Sequence, residues 1–368
     1  NFRDLGYPAL DVAEVGGIGG NAPLAAIPIA AAYGVRMPII GDRSLGGFGG
    51  LLDKFESIPG FRADVALNEF QESVRGMGVA VIGQSAEMAP ADTKINQLRT
   101  RTGTLGGSGL TVASLFARKA CAGVRGVVAE IPCGSGGMAK NLREAHQLAD
   151  DLVSVGEALG FQISGYITNR DDVLGHCIGD VLELREAIEV LKGGGPEDLK
   201  EVVVNLAASL LVLGQLATDH SHGRQLASEA IADGRGLAKL SEIVANQGGD
   251  TQVIENPENL PRGQGQRDIP TQRGGYIKAI DLEALGRSWR ALGGSRVSRG
   301  DSTDHRVGIV VHKKVGDRVE RGEVLATLHT SEKSHNEEAL EAAEEAFLLS
   351  PEPTEKSRVI LEEFGRRR

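Results

Sequence analysis

The sequence predicts an α/β protein built on a parallel sheet, with a smaller α+β domain at its C-terminal end. Three observations carry that prediction. Short apolar, β-branched runs alternate with helical periodicity through about residue 170, joined by glycine-rich turns. An almost purely helical stretch follows from Asp180 to Gly248. Beyond a polar segment the pattern changes to short β-branched strands separated by Gly-Asp and Arg-Gly turns.

At 368 residues the chain has room for two domains, or for one large α/β domain with an appendage. Asp and Glu total 50 against 40 Lys and Arg, a formal charge of −10, and the one long basic run is the terminal Arg-Arg-Arg. Nucleic acid is not an expected partner on that balance, because phosphate contacts need concentrated positive charge. Cys121, Cys133 and Cys177 form no Cys-x-x-Cys pair, which fits core positions in a protein of the reducing cytoplasm. The first ten residues lack a basic segment followed by an apolar core, and the apolar stretch VVVNLAASLLVLGQLA is too short for a membrane span. No membrane partner is expected either. The 50 glycines beside 4% aromatics point to many tight βα turns.

The segment DVAEVGGIGGNAP (11–23) runs from a strand into a glycine turn that opens a helix, where backbone N–H groups commonly hold an anion. No Lys, Arg, Ser or Thr accompanies these glycines; the ionisable side chain beside them is Glu14. Asn21 is placed to cap the helix APLAAIPIAAAYG, with Pro23 in its first turn and Pro28 expected to kink it. A strand VRMPIIGD, a second glycine loop LGGFGG and a short amphipathic helix LLDKFESI come next. LNEFQESVRGMG has helical spacing that ends at Gly78, and VAVIG reads as a buried strand. Helices around Ala91 to Thr100 and Leu110 to Cys121 follow one another without a strand, an excursion away from the sheet. Strand GVVAEI, loop CGSGG, a long helix through Gly160 and strand FQISGYIT resume the alternation, and Pro196 and Glu197 start a new helix. NPENLPRGQGQRDIPTQRGG reads as a linker, and NEEALEAAEEAFLL as a closing amphipathic helix. These readings divide the chain into an α/β domain in two parts (1–90 and 122–271), a helical excursion (91–121) and a C-terminal α+β domain (272–368).

Five segments in order, LLDKFESIPGF (51–61), VAVIGQSAEMAPAD (79–92), CGSGGM (133–138), EAIEVLKGGGPEDL (187–199) and VGIVVHKKVGDRVERGEVLATLH (307–329), resemble the pyrimidine nucleoside phosphorylase and thymidine phosphorylase family over nearly the whole chain. The resemblance implies a large α/β domain, a small helical domain of which residues 91–121 are part, a cleft between them, and a hammerhead-like C-terminal α+β domain closing over it. Family members carry several dozen helical residues ahead of the first glycine loop, where this chain begins. Either a natural start lies outside the sequence or half of the helical domain has been lost, and the homodimer that this domain mediates in the family is open on the same account.

The family's reaction holds a pentosyl group between a pyrimidine and phosphate, and its phosphate is gripped by a Lys-His-Ser-Thr run leading into the first glycine turn. Lined up on the glycines, that run is Val12, Ala13, Glu14 and Val15 here. Hydroxyl positions of the next loops become Gly41 and Leu51, and a His and a Thr of the second glycine loop become Gly47 and Phe48. Each charge-assisted hydrogen bond contributes about 1.5–3 kcal/mol, so losing several weakens phosphate binding by many powers of ten before Glu14 adds repulsion. Inorganic phosphate is therefore not the expected co-substrate. Gly16, Gly17 and Gly19 are expected either to hold part of the substrate or simply to start a helix. Glu14 is a general base for water, a carboxylate for sugar hydroxyls, or a surface acid.

The opposite wall departs less. Where the family grips the pyrimidine with an Arg and, one helix later, a Ser and a Lys, this chain has Arg99, Ser114 and Arg118, with Asn96 in place of a tyrosine. Guanidinium groups suit a heterocycle that leaves as an anion. The resemblance also implies a monovalent cation against the first glycine turn, at Gly19, Asn21, Leu174, Cys177 and Glu186, with Glu186 supplying the charge. His220 and His222 are spaced like a metal pair on a strand, but a helix start is the stronger reading. The expected function is cleavage or exchange of the N-glycosidic bond of a pyrimidine nucleoside or related compound with an acceptor other than phosphate. A non-catalytic nucleoside- or base-binding relative, and ordinary phosphorolysis through a rearranged pocket, are the alternatives.

Overall fold

The computed structural model describes residues 8–44, 49–85, 88–102, 104, 107–296 and 301–365. Strand β1 (Leu10–Glu14) is buried up to a half-buried Glu14, and helix α1 (Ala22–Ala32) follows the glycine turn. Every residue of α1 from Ala22 to Ala31 is buried, Pro28 included, so this is a core helix apolar on all sides. Asn21 does not cap it, contrary to expectation. The buried Asn21 amide instead donates through Nδ2 to Glu186 Oε2 at 2.7 Å, which fixes the side chain, and Oδ1, the atom that a cap would use, accepts from no N–H of the helix start.

Strand β2 (Met37–Ile40), helices α2 (Leu51–Glu56) and α3 (Leu67–Met77) and strand β3 (Val79–Ile82) come next. α3 turns Phe70 and Val74 inward, one turn apart, and ends at Gly78, whose φ of +94° lies in the left-handed region that favours glycine. Helices α4 (Pro90–Thr102) and α5 (Ser108–Cys121) form the excursion, before β4 (Gly126–Cys133), α6 (Leu142–Ala158) and β5 (Gln162–Asn169) rejoin the sheet. β1 pairs in parallel with β4, β4 with β5 and β2 with β3, and a parallel bridge between Ala9 and Arg36 sets β2 beside β1. Parallel pairing brings the C-terminal ends of these strands to one edge, so the loops after β1, β4 and β5 lie together there.

A short strand β6 (Cys177–Ile178) precedes the helical stretch of α7 (Asp180–Leu191), α8 (Glu197–Leu213), α9 (His220–Ala232), α10 (Arg235–Asn246) and α11 (Gln252–Glu255). α8 packs on β1, β4, β5 and α1, with Val202, Leu206 and Leu210 fully buried. Burying each such side chain contributes about 1.5–3 kcal/mol, which is why so apolar a helix stays inside. His220 opens α9 as expected, and Asp219 caps it by accepting from His222 N at 2.9 Å.

The C-terminal region comprises β7 (Gly265–Pro270), β8 (Gly275–Ile280), α12 (Leu282–Ala291), β9 (Gly308–Val311), β10 (Arg318–Val319), β11 (Val324–Thr330), α13 (Asn336–Glu345), β12 (Phe347–Ser350) and β13 (Ile360–Gly365). One sheet has the order β6-β9-β11-β7 and another β10-β8-β12. The stretch expected to be a linker thus contains a strand. β7 lies at an edge with mostly exposed polar side chains and is held by main-chain bonds to β11, so its composition carries no apolar signal. The expected closing helix is shorter than its apolar pattern, because Phe347 to Ser350 leave it to pair with β8. β13 returns to the large sheet and pairs antiparallel with β5, tying the two regions together. Cys133 is buried and Cys177 half-buried, but Cys121 is exposed at the end of α5 rather than in the core. Among the described residues no helix is long and apolar enough to cross a membrane.

Candidate active site

At the C-terminal end of β1 the chain turns through Gly16 and Gly19, with φ of +73° and +71°. The turn is pinned from the loop after β4: Ile18 N donates to Gly136 O at 3.0 Å and Met138 N to Gly16 O at 2.9 Å. A Cβ on Gly16 would stand 2.8 Å from Met138 Cε, so both conformation and contact require glycine there. The Glu14 side chain folds back over this turn. Its carboxylate lies against Gly17 and Gly20, where a Cβ on either would overlap it. The face of the turn that an anion would approach is thus occupied by the protein's own acid.

Behind Glu14 lies a set of buried charges. Register places Glu14 opposite Glu130 on β4. Glu130 Oε1 accepts from Arg170 Nη2 at 2.6 Å and from Thr168 Oγ1 at 2.8 Å, and all three residues are fully buried. On the other side Lys54 of α2, also buried, donates to Gly20 O and pairs with Glu183 at 2.8 Å. Burial, and then the nearby Glu130 charge, raise the Glu14 carboxyl to about 7, with Lys54 and Arg170 pulling the other way. Burial disfavours the Lys54 charge, but Glu183 and Glu14 outweigh it and hold its pKa above the ordinary value. The result is a carboxyl that titrates near neutrality within reach of an ammonium, an arrangement able to take a proton from a water or a hydroxyl.

Arg99 and Ser114, read from the sequence as part of a base-binding wall, lie in one hydrogen-bonded cluster with Asn96 and Thr111. Arg99 of α4 donates through Nη1 to Asn96 Oδ1 at 3.0 Å, through Nη2 to Thr111 Oγ1 at 2.8 Å and through Nε to Thr104 O at 3.3 Å. Asn96 also donates to Ser114 Oγ on α5 at 2.8 Å. Arg118, one turn on from Ser114, pairs with Asp42 in the loop after β2 and so faces the edge where the glycine turns lie. A base entering here would exchange some of these bonds for its own carbonyl oxygens.

Of the other positions read from the sequence, Gly41 donates to Ile82 O at 2.8 Å as β2 ends, and Leu51 packs on the main core. Gly47 and Phe48 lie outside the described residues. Glu186 is buried, accepts from His176 N at 2.8 Å and from Asn21, and burial raises it to about 7. The Asn21 Oδ1 atom beside it is buried without a hydrogen-bond partner. A Cβ on Gly19 would stand 3.4 Å from Cys177 O, and Glu186 lies beside both Cys177 and Asn21, so four of the residues read as a cation site lie together.

Several residues of this region escaped the sequence reading: Lys54, Glu130, Arg170 and Glu183, and a cluster of Asp53, Asp180 and His305 whose ligand-capable atoms lie within 4.8 Å of one another. In that cluster Asp53 is already engaged by Arg296 and Ser44 N, and His305 Nδ1 lies 2.7 Å from Asp180 Oδ2. A signal for Glu130 did exist: it is the lone charge within GVVAEIPC, a run otherwise fit for a fully buried strand. Lys54 gave none, since Lys in a short amphipathic helix reads as solvated.

Comparison with known proteins bears on this geometry. The glycosyl transferase family a/b domain matches residues 6–237, and the pyrimidine nucleoside phosphorylase C-terminal domain matches residues 276–350. A pyrimidine-nucleoside phosphorylase of Staphylococcus epidermidis strain ATCC 12228 is 38% identical over 333 residues, covering 90% of this chain and 77% of that protein. The protein of the same description from Staphylococcus aureus strain bovine RF122 is 38% identical over 331 residues, covering 90% and 76%. Among solved structures, an anthranilate phosphoribosyltransferase from Thermus thermophilus superposes with a TM-score of 0.50 at 19% identity, covering 65% of this chain and 78% of that one, which shows a shared fold.

Proposed function

The chain belongs to the pyrimidine nucleoside phosphorylase family of pentosyltransferases, and from that premise we propose that it cleaves the N-glycosidic bond of a pyrimidine nucleoside with water, or another small hydroxyl compound, in place of phosphate. The observation that carries this reading is Glu14. Its carboxylate lies over the glycine turn, against Gly17 and Gly20, and titrates near 7. In the proposed reaction Glu14 takes a proton from the acceptor as its oxygen bonds to the anomeric carbon. The C–N bond breaks, and the base departs as an anion toward Arg118 and Arg99, with Ser114 placing its edge. Gly16 and Gly19 give the turn its left-handed backbone, and Gly17 leaves room for the Glu14 carboxylate.

The test is to incubate the protein with uridine and thymidine, with and without phosphate. Base release should not depend on phosphate, and Glu14→Gln should slow it by about 10²–10⁴-fold, the usual contribution of a general base. Formation of pentose 1-phosphate would overturn the reading. The self-satisfied bonds of Arg99 favour a second reading, a binder without turnover. Calorimetry separates the two, since that reading requires saturable nucleoside or base binding, lost in Arg99→Ala, with no product.

The same reading includes a monovalent cation held by Gly19, Asn21, Leu174, Cys177 and Glu186. The unpartnered Asn21 Oδ1 and the buried Glu186 carboxyl fit it, because an oxygen-lined cation would satisfy the first and neutralise the second. Bound there, it would brace α7 against the glycine turn.

A further inference from the structure

A hollow lies away from the glycine turn, where α7 meets the segment before β7 and the strand β11. It has a volume of about 140 Å³, well below the roughly 300 Å³ at which sites for drug-sized ligands begin, and suits a group of a few heavy atoms. Its polar lining is Arg185, Arg262, Arg306, His329 and Gln266; Val181, Leu182, Pro261 and Gly263 complete it, and no carboxylate lines it among the described residues.

The four basic side chains are not equivalent. Arg306 is spoken for by Asp304 at 2.7 Å and Glu332 at 3.2 Å, and Arg262 pairs with Glu258. Arg185 differs, because its Nε and Nη2 atoms are buried and have no hydrogen-bond partner. Leaving guanidinium donors desolvated and unpaired is unfavourable by more than a neutral group would be, so the native fold is expected to keep them only where something accepts their bonds. The surroundings agree: burial first, and then Arg262, push the Arg185 pKa down, with Cys177 and Glu189 opposing, and burial followed by Arg185 and Arg262 pushes His329 down.

We propose that this cavity is a binding site for a small oxyanion of the phosphate class, free or as the terminal group of a monoester, received by the Arg185 Nε and Nη2 donors with Arg262, His329 and Gln266 around it. The planar guanidinium fork presents adjacent N–H groups to two oxygens of one such ion, which a lysine could not do. The site does not depend on the acceptor reading, and no outcome of the nucleoside assay bears on it.

The experiment is calorimetric titration of the full chain with inorganic phosphate, sulfate and methyl phosphate at ionic strength held constant with chloride. Saturable binding is expected, weakened about 10- to 100-fold in Arg185→Gln, the worth of one charge-assisted bond. Tighter binding of methyl phosphate than of phosphate would assign the site to a monoester, the reverse to the free ion. Absence of saturable binding over chloride, or equal affinity in Arg185→Gln, would overturn the proposal. Without anion, Arg185→Gln should melt no lower than the parent protein because the unpaired donors are gone; a clear drop would give Arg185 a purely structural role and overturn it as well.

Discussion

The glycine turn after β1 and the cavity beside Arg185 are both served by α7, and they carry opposite charge. Glu183 of that helix holds Lys54 under the turn, where Glu14 projects, while Arg185, two residues further, enters a cavity without a carboxylate in its lining among the described residues. The first has the backbone form of an anion site, and an acid against it. The second has no recognisable motif, yet it holds unpaired guanidinium donors. On the proposed reading, charge and unmet hydrogen bonds, rather than the shape of a loop, select the place that accepts an anion.

The strongest way to break this contrast is to remove the cation under the turn. Lys54→Met leaves Glu183 and Glu14 buried without their counter-charge, and should lower stability by about 3–5 kcal/mol in urea unfolding, as truncating one partner of a buried pair does. A loss below about 1 kcal/mol, the range of exposed ion pairs, would mean that water reaches the turn and that it is not a dry acidic site.

The pH dependence sharpens it further. Glu14 and Glu186 are raised to about 7, and Asp180 and Asp172 to about 6, from ordinary values of 4.5 and 3.8. Between these limits the folded protein holds protons that the unfolded chain releases, so stability should fall as pH rises from about 4 to about 7. Asp304, lowered to about 2, gains its stability below that window, whereas His312 and His329, which burial holds below the ordinary histidine value, oppose the fall in its upper part. Glu14→Gln should make the fall shallower in thermal melts across that range, while turnover by the parent protein should rise with pH as Glu14 ionises. A stability curve rising over the same range would contradict the buried, protonated carboxyls.

The smallest expected effect concerns the cation. Replacing tetramethylammonium chloride by potassium chloride should stabilise the protein by about 1 kcal/mol at concentrations several times the dissociation constant, and Glu186→Gln should abolish the difference. Equal melting temperatures in the two salts would remove the cation from the proposal.

Where strands alternate with helices, the elements were legible, because a buried parallel strand is a continuous apolar run and its helix carries a 3.6-residue stripe. The paired helices α4 and α5 and the helical run from α7 to α10 stood out for the same reason. β7, β12 and β13 did not. β7 and β13 are edge strands held largely by main-chain bonds, and β12 is four residues that continue an apolar helical pattern, so none has a side-chain code of its own. The candidate site divides similarly. Glu14 and the glycines were named from the turn motif and Arg99, Ser114 and Arg118 from the family resemblance, whereas Lys54, Glu130, Arg170 and Arg185 looked like ordinary charges.

By itself the sequence determined the alternating architecture and the family, and it placed Val12, Ala13, Glu14 and Val15 ahead of the first glycine turn, since these are matters of residue type and order. Only the tertiary structure decided that Glu14 folds over Gly17 and Gly20, that Arg99 spends its donors between two helices, and that Arg185 is left unpaired. The physical reason is that a charge acquires its chemistry from desolvation and from neighbours distant in the chain: Glu130, Lys54 and Glu183 reach Glu14 only after the sheet and α7 have assembled around it.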